Sequence, residues 1–532
     1  MSKYLINNSA YQPSFQFPLN FVYEDSIPED DISRTVKEIV EGVNVFKFIN
    51  FSRRNSYGYD GIRMLECLFL AFTLDGYAST RKLADYCKYD IRFQFIMDGE
   101  TPSHMAFQRF IQNDLLISIE DIFVELNKYI EKHDDINTDI LYIDGSKWEA
   151  NANKNTFVWI RSTQKFVVKR WKQVMERLKK FNAYCEEENI PIRFSILKEF
   201  SFDYLFEIVE EIEKIINAKG IEYKHGRGQK KHPLQRFQEG FKNDAMILWK
   251  YSMHYEIADG RNSFSKTDPD ATFMHMKYDY YNNTNVFKPG YNVQIGSSDG
   301  YIRHVYISSD GADMKTYIPF MEGYQLAYGE LPKKTPADAG YGSYENYRFC
   351  DEHGIDLYMK YPMYRKEQEK ITDKNRFRRY NMKMNNLGEI ICPEGHPFVF
   401  EKQRNETRGR YTKNLETYRN QNCEKCPMRQ KCTKSKKGRS IIRNRLLEKY
   451  QDQVKENLST DEGKELMKQR SIQSEGIFGQ LKQDKEFDRL HRRGVTGVKL
   501  EFLLVCIGHN IRKYHTRKLQ KKQENDSTEK IN

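Results

Sequence analysis

Residues 139–144 read DILYID, and this short run determines the predicted fold class. Apolar and β-favouring residues lead to an acid, which predicts a buried strand with Asp144 at its C-terminal end. The other strands and helices of the same layer are predicted at 291–296, 301–308 and 354–361 (strands) and at 317–328, 344–353 and 463–485 (helices). The turn SSDG joins the first two of these strands as a β-hairpin. Strands mixed with helices predict an α/β or α+β domain, a sheet flanked by helices.

Outside this α/β domain, the sequence predicts several further structural parts. Residues 33–130 have apolar side chains at helical spacing, and helices starting near Ser79 and Ser103 resemble a helix-turn-helix. Apolar residues in alternating steps of four and three, such as Val174 and Leu178, predict two long helices packed as a hairpin. The predicted parts are an N-terminal helical DNA-binding domain (1–130), a core (131–510) with a helical insertion (162–250) and a Cys-rich basic insertion (363–445), and a basic, disordered tail (511–532).

The acids of the core predict a metal site. Asp144 ends a strand, Asp338 lies in the glycine-rich turn ADAGYGS, and Glu475 lies on the helix RSIQSEGIFGQLKQD. Three carboxylates at one sheet edge suit two Mg²⁺ ions about 4 Å apart, which would align a hydroxyl or water for attack on a phosphodiester. Lys482, about two helical turns after Glu475, is placed to hold a DNA phosphate. Arg470 precedes Glu475 by five residues and is expected on another side of an α-helix.

Other acids compete for the second position of this site. They follow or precede predicted strands, and they are Glu149, Asp268, Asp270, Asp310 and Asp313. The glycines after Asp338 favour Asp338 over all of them, because they permit an abrupt turn away from the sheet.

A second metal site is predicted from cysteines. Of nine cysteines in the chain, Cys392, Cys423, Cys426 and Cys432 lie within 41 residues and include one CxxC pair. Four thiolates are a ligand set for tetrahedral Zn²⁺ with no open position, so the role would be structural. His396 is a possible substitute ligand. The alternative is a set of reduced, metal-free cysteines.

Charge indicates a polyanion as partner. The 532 residues include 86 Lys and Arg against 75 Asp and Glu, a net charge of +11, and residues 401–450 alone carry that surplus. The basic residues predicted to contact DNA phosphates are Lys434, Lys436, Lys437, Arg439, Arg443, Arg445 and Arg470. Arg81 and Lys82 are candidates for sequence readout. A hydrophobic content of 39% excludes disorder throughout, and the apolar runs are shorter than the ~18 residues of a membrane-spanning helix.

Five ordered blocks carry a resemblance to a known family. YIDGSKWEANANK, DPDATFMHMK with GYNVQIG, ADAGYGSYEN, the Cys-bearing insertion and RSIQSEGIFGQLKQDKEFDRLHRRG resemble, in this order, bacterial insertion-sequence transposases of the DDE superfamily. The resemblance implies an RNase H-like core, with Asp144, Asp338 and Glu475 as the metal-binding acids and Lys482 beside them. The family's Tyr-Arg-Glu-Lys signature is incomplete, since Ser471 stands where Arg is expected and Arg470 lies one place away.

The resemblance also implies a function. Such enzymes bind terminal inverted repeats, cleave DNA with two Mg²⁺ ions (Mn²⁺ can substitute) and join the 3′-hydroxyls to target DNA. We expect double-stranded DNA as partner, a homodimer or larger assembly on DNA, no membrane association, and a cytoplasmic, nucleoid-associated location. Two alternatives remain open: an inactive zinc-containing DNA-binding regulator, and a metal-dependent nuclease that does not join strands.

Overall fold

A mixed sheet forms the centre of the molecule. The computed structural model describes residues 26–43, 45, 58–226, 228–276 and 287–529. The central strands are β1 (Tyr142–Glu149), β4 (Thr272–His275), β5 (Phe287–Ser298) and β6 (Tyr301–Ser308). β5 pairs antiparallel with β1 on one side and with β6 and β4 on the other. The predicted hairpin is present, and its turn residues Asp299 and Gly300 both have the positive φ of a two-residue hairpin turn.

Two short extended segments continue the sheet beyond β1. Lys334 bridges Ile140 and Asp356 in parallel, and Ala337 bridges Met359 in parallel. The sheet order is therefore β6, β5, β1, 334–337, 356–359, with the last two segments parallel to β1. The described chain is 54% helical and 14% strand. This confirms the predicted α/β class.

Asp144 lies earlier in its strand than predicted. It is the third residue of β1, which continues to Glu149 because the long strand β5 keeps pairing as far as Gly290. The observed strand therefore overlaps the predicted segment 139–144 only at residues 142–144.

The N-terminal helices share a hydrophobic core with the C-terminal helix. They are α1 (Ile32–Gly42), α2 (Gly61–Asp75), α3 (Thr80–Tyr89), α4 (Ile91–Met97), α5 (His104–Arg109), a π-helical turn (Phe110–Leu115) and α6 (Leu116–His133). One buried cluster joins Leu68 of α2, Ile122 of α6, Val305 of β6 and Leu504 of the last helix. The N-terminal part is thus packed into the core of the molecule.

The helical insertion has a core of its own. It consists of α7 (Ile160–Glu187), α8 (Phe202–Ala218) and α9 (Pro233–Ala258), and the short strands β2 (Phe157–Trp159) and β3 (Ser263–Ser265) pair at its base. The sequence predicted two helices. The third, α9, packs against both others, and its internal Asp244 pairs with Arg170 and Arg177, each at 2.9 Å.

The remaining helices flank the sheet and the second insertion. They are α10 (Tyr317–Tyr328), α11 (Tyr344–His353), α12 (Tyr364–Glu367), α13 (Arg429–Cys432), α14 (Arg445–Ser459), α15 (Asp461–Arg470), α16 (Gly476–Gly479) and α17 (Val495–Glu529). The second insertion carries a three-stranded antiparallel sheet of β7 (Val399–Thr407), β8 (Thr412–Arg419) and β9 (Ser440–Arg443). Its hairpin tip docks on α11, where Glu345 accepts hydrogen bonds from the backbone N–H groups of Arg410 and Tyr411, both at 3.1 Å.

The C-terminal segment differs from the sequence prediction of a disordered tail. Helix α17 runs through it to Glu529, while residues 530–532 lie outside the described part. Two buried side chains, Ile511 and Tyr514, anchor this stretch. Arg517 and Lys521 both pair with the buried Asp134, at 2.9 and 2.7 Å. Basic residues that suggested a solvated tail are therefore bound to an internal acid.

No helix in the described ranges is long and apolar enough to cross a membrane.

Candidate active site

Two of the predicted acids lie next to each other, each directly after a point where two neighbouring segments pair. The Ile143 N–H donates to the Pro336 carbonyl at 3.1 Å, so Asp144 and Asp338 directly follow two paired segments. Each carboxylate is fixed by a glycine of its own loop. Gly145 N–H donates to Asp144 Oδ1 at 2.9 Å, and Gly340 N–H donates to Asp338 Oδ1 at 2.7 Å.

The third acid reaches the same place through a π-helical turn. After α15, residues Ser471–Glu475 form a π-helix, in which residues five apart lie side by side. Arg470 Nη2 consequently lies 3.1 Å from Glu475 Oε1, and Arg470 Nη1 lies 3.3 Å from Asp144 Oδ2. The sequence expectation that Arg470 points away from Glu475 was wrong, because it assumed an α-helix.

The site is closed on one side and open on the other. The side chains of Asp144 and Arg470 are 14% and 11% exposed, whereas that of Glu475 is 62% exposed. The site is therefore open to solvent on the side of Glu475.

The charges of the site interact strongly. Burial raises the pKa of Asp144 to about 6, and the carboxylates of Asp338 and Glu475 add to the rise, while Arg470 and the Gly145 N–H oppose it. Burial also raises the pKa of Asp338, against the effects of the Gly340 N–H and Arg470. A cluster of acids with one buried guanidinium attracts further positive charge.

Lys482 contacts the protein on the same side of β1 as the Glu475 helix. Its Nζ donates to Ser146 Oγ at 2.8 Å and to the Lys147 carbonyl at 2.7 Å. It also lies 3.9 Å from the centre of the buried Trp148 ring. In this state, Lys482 fastens the helix to β1.

Two further charged residues near Asp338 were not assigned to the site from sequence. Lys360 follows the last parallel segment, and burial together with Arg470 lowers its pKa, while Asp338 raises it. Asp313, considered above only as a rival of Asp338, raises the pKa of Asp338 as a neighbour. Asp313 follows the predicted strand 301–308 and Lys360 lies near the end of the predicted strand 354–361, which was the one indication available.

The other competing acids lie elsewhere. Asp268 accepts from the Tyr291 hydroxyl and the Gly494 N–H, Asp270 accepts from the Val495 N–H, and Asp310 pairs with Lys315. Glu149 lies at the opposite end of β1 from Asp144 and pairs with Lys288. Each has a structural partner.

The donor set of the site fits hard divalent cations. Asp144, Asp338 and Glu475 supply carboxylate oxygens, which Mg²⁺ and Mn²⁺ prefer. Within the described residues, no three or more His, Cys, Asp or Glu side chains lie close enough together to hold a metal ion as a set. Arg470 provides the positive charge between two of the acids instead.

The four clustered cysteines line one small cavity of the second insertion together with His396. Burial raises the pKa of the Cys432 thiol, and the neighbouring Cys423, Cys392 and Cys426 raise it further against Arg439. Backbone N–H groups of His396 and Arg439 donate to the sulfurs of Cys392 and Cys423, both at 3.3 Å. Four sulfur atoms around one cavity are the kind of donor that Zn²⁺ prefers, but among the described residues they do not form a set that could hold a metal ion.

The predicted DNA-contacting residues divide into two groups. Lys434, Lys436 and Lys437 are exposed, and Arg445 is exposed but pairs with Glu416 at 2.9 Å. The other three are held by the protein: Arg443 is 4% exposed and pairs with Glu448, Arg439 donates to the carbonyls of Cys432 and Phe377, and Arg470 binds the acids. The structure thus contradicts a surface role for Arg443 and Arg470 in this state.

The N-terminal candidates lie on α3. Arg81 and Lys82 are exposed, although Lys82 pairs with Asp75 at 3.0 Å. Helices α3 and α5 contact each other, but α4 lies between them in the chain, so they are not a simple two-helix motif.

Comparison with known protein families found two matching segments. Residues 391–515 match the family described as a transposase DDE domain. Residues 21–113 match the family described as a transposase domain (DUF772). These two matches, to separate parts of the chain, support a DDE transposase; a DDE domain is expected to be RNase H-like, and the mixed helix and sheet of the described chain are consistent with that. The pairing of the two domains is that of an insertion-sequence enzyme with an N-terminal transposase domain. No curated protein and no solved structure gave a significant match.

The matched segments cover the site in part. The DDE match includes Glu475, Lys482 and the four clustered cysteines, and Asp144 and Asp338 lie outside it. Enzymes with DDE domains generally use divalent metal ions.

Proposed function

We propose that this transposase binds the terminal inverted repeats of an insertion sequence, cleaves the DNA strands at their ends and joins the 3′-hydroxyls to target DNA. The observation that supports this most is the placement of three acids at one sheet edge: Asp144 and Asp338 follow paired segments, and Arg470 links Asp144 to Glu475. Acids from separate elements of the chain meet at a site that is open on the side of Glu475.

Asp144, Asp338 and Glu475 are the residues that would hold two Mg²⁺ ions. When bound, such ions lower the pKa of an attacking water or hydroxyl and stabilise the charge that develops on the phosphate. The protein's own contribution is to hold the acids in place. The glycine N–H groups orient Asp144 and Asp338, and the π-helical turn sets the distance of Glu475 from β1.

The cations near the acids have complementary roles. Arg470 neutralises part of the carboxylate charge before metal arrives, and its contact with Glu475 holds that side chain toward Asp144. Lys482 fixes the Glu475 helix to β1 through Ser146 and Lys147. Lys360, next to Asp338, is a candidate to contact the phosphate of the strand being cut.

The second insertion would bind a structural Zn²⁺ through Cys392, Cys423, Cys426 and Cys432. A Cys₄ site has no open position for chemistry, so its effect would be to fold the insertion. The exposed Lys434, Lys436 and Lys437 border this site and would hold DNA phosphates without sequence preference. The N-terminal helices would recognise the repeat sequence. Two repeat ends would be held by two copies of the chain, so we expect at least a dimer on DNA.

The assignment can be tested with labelled repeat DNA, a target plasmid and Mg²⁺. We expect Asp144→Ala, Asp338→Ala and Glu475→Ala to abolish cleavage while repeat binding stays nearly unchanged. Asp310→Ala is the matched control, because Asp310 is three residues from Asp313 and pairs with Lys315 at the surface. Full cleavage by Asp338→Ala would exclude the assignment. Cleavage without joining in the wild type would identify a nuclease, and binding without cleavage would identify an inactive regulator.

A further inference from the structure

A groove lies between the helical segment that carries Glu475 and the last helix, α17. One wall is formed by residues 469–480, the other by residues 509–520, and the hairpin turn at Asp299 and Gly300 lies between them. We call it the α17 groove, and its volume is about 600 Å³. Asp144, Asp338 and Glu475 do not line it, so the α17 groove is separate from the proposed metal site.

Lys513 places an ammonium group in this groove without an acid bound to it. Its Nζ lies 5.5 Å from the centre of the Tyr301 ring, and a Cβ at Gly300 would lie 2.7 Å from it. Lys513 makes no hydrogen bond or ion pair with any residue that the structure describes. Burial and the neighbouring Arg517 lower the pKa of Lys513, and nearby carboxylates raise it. The half-buried ammonium can therefore still accept an anion as a partner.

Arg512 adds a second positive charge to the same wall. Its guanidinium donates to the carbonyls of Thr73 and Leu74, at 3.0 and 2.8 Å. Carbonyls carry no net charge, and within the described ranges Arg512 has no ion pair. Asp299 is the one acid among the described residues that line the groove. A concave surface with an excess of positive charge focuses its field and attracts anions.

The opposite wall is uncharged and can donate hydrogen bonds. Its polar side chains in the groove are Gln469, Gln473 and Gln480, and such amides commonly contact the phosphates and sugars of DNA. The helical segment from Gln469 to Gln480 is about 16 Å long. Successive phosphates of one DNA strand are about 3.4 Å apart along the duplex axis. The α17 groove is therefore long enough for several phosphates of a strand.

Gly476 lies on this wall and has no structural reason to be glycine. It belongs to a helix, where glycine is less favourable than alanine. Its φ is −61°, an ordinary helical value, and a Cβ added to it would meet no neighbouring atom within 4 Å. Neither the backbone conformation nor the packing of the chain requires glycine here. A glycine does allow the backbone of a ligand to approach the helix closely.

We infer that the α17 groove binds the phosphate backbone of a DNA strand, at a site separate from the three acids. This inference rests on the proposed function, because it takes DNA as the anion. Lys513 and Arg512 attract the phosphates, and the glutamines of the opposite wall donate to them. Since one wall belongs to the helix of Glu475, DNA bound in the groove lies next to the proposed site of cleavage.

The test is the salt dependence of DNA binding by the full chain without divalent ions. Fluorescence anisotropy is measured with labelled repeat DNA and with an unrelated duplex. We expect Lys513→Met to weaken binding of both duplexes severalfold. The slope of the logarithm of the association constant against the logarithm of salt concentration should fall by about 1, as it does when one phosphate contact is lost.

Lys522→Met is the matched control. Lys522 is exposed on the same helix, nine residues after Lys513, which places it on the opposite side of α17. It should bind both duplexes as the wild type does. An equal effect of Lys522→Met would reflect only the loss of net charge and would overturn the inference.

Gly476→Leu serves if Lys513→Met fails to fold. It fills the α17 groove at a position where the chain leaves open space, so we expect a stable protein that binds both duplexes more weakly. Asp338→Ala, which alters the proposed metal site instead, should bind DNA as the wild type does.

The outcomes separate this inference from the proposed function. If Lys513→Met and Gly476→Leu both bind DNA as the wild type does, the groove holds no DNA, and the proposed function stands on the cleavage assay. If Lys513→Met loses only the binding of a free mononucleotide, the phosphate is that of a small ligand and the inference is overturned. A wild-type chain that binds neither duplex would overturn both.

Discussion

Asp144, which we propose binds metal, is a buried acid, and both its burial and two neighbouring carboxylates oppose its ionisation. Its pKa of about 6 lies above the ordinary value of 3.8. The folded state therefore binds this proton more tightly than the unfolded state does. The contribution of Asp144 to stability becomes unfavourable as the pH rises from about 4 through about 6.

The pH dependence gives a prediction for Asp144→Asn. A pKa difference of about two units corresponds to about 3 kcal/mol. In urea unfolding without divalent ions, we expect Asp144→Asn to be more stable than the wild type by up to about 3 kcal/mol near pH 7.5, and equally stable near pH 4. The same stability difference at both pH values would contradict this account of Asp144.

Lys482 gives a second prediction at this scale. Lys482→Met keeps the length of the side chain but leaves Ser146 Oγ and the Lys147 carbonyl without their charged donor. We expect the free energy of unfolding to fall by about 1–3 kcal/mol. Lys468→Met is the control, because Lys468 is exposed and pairs only with Glu465 in the described ranges, and its effect should stay within about 0.5 kcal/mol. Equal effects of the two changes would exclude the structural role of Lys482.

At the scale of elements, the predictable parts were those set by local chemistry. The hairpin turn at Asp299 and Gly300 and the glycine turn after Asp338 follow from short-range residue preferences. The π-helical turn could not be predicted, because five-residue spacing between Arg470 and Glu475 suggests opposite sides of an α-helix. The prediction that Arg443 contacts DNA also failed because of the local chain path. Arg443 is buried against Glu448, and only the turn from β9 into α14 brings these two side chains together.

The second insertion is an element whose folding we expect to depend on zinc. Its own hydrophobic cluster consists of only four buried residues, Met382, Ile390, Phe398 and Ile441. We expect Cys426→Ser to release one Zn²⁺ per chain, measured by atomic absorption, and to make the β7–β8 hairpin sensitive to protease. Cys350→Ser is the control, because Cys350 is buried beside Tyr317 in the main core. A wild-type chain purified without zinc and equally resistant to protease would contradict this expectation.

At the scale of the whole molecule, the N-terminal helices and the catalytic sheet are joined through α17. The sequence suggested a separate DNA-binding domain, because the helical pattern of residues 33–130 gives no information on what the helices pack against. Their partner lies far along the chain, since Phe72 of α2 packs against Gly508 of α17. The shared core fixes the N-terminal helices against the sheet that carries Asp144.

Gly508 provides a test of this shared core. A Cβ at Gly508 would lie 2.5 Å from the Phe72 carbonyl, so α17 and α2 would have to separate. We expect Gly508→Ala to lower the free energy of unfolding by about 1–3 kcal/mol through overpacking. In hydrogen exchange, the amides of the N-terminal helices and of the sheet should lose protection together. Gly497→Ala on the same helix meets its nearest atom at 3.5 Å and should be neutral or stabilising by up to about 1 kcal/mol. Loss of protection confined to the N-terminal helices would show that the two parts unfold independently.

The central claim is that Asp338 binds catalytic metal beside Asp144 and Glu475, and a change of metal preference tests it most directly. Asp338→Cys replaces an oxygen ligand by sulfur, which Mg²⁺ binds poorly and Mn²⁺ tolerates better. In a cleavage assay on repeat DNA, we predict no activity of Asp338→Cys with Mg²⁺ and partial recovery with Mn²⁺, with repeat binding unchanged in both. Cleavage by Asp338→Cys at the wild-type rate with Mg²⁺ would contradict the claim.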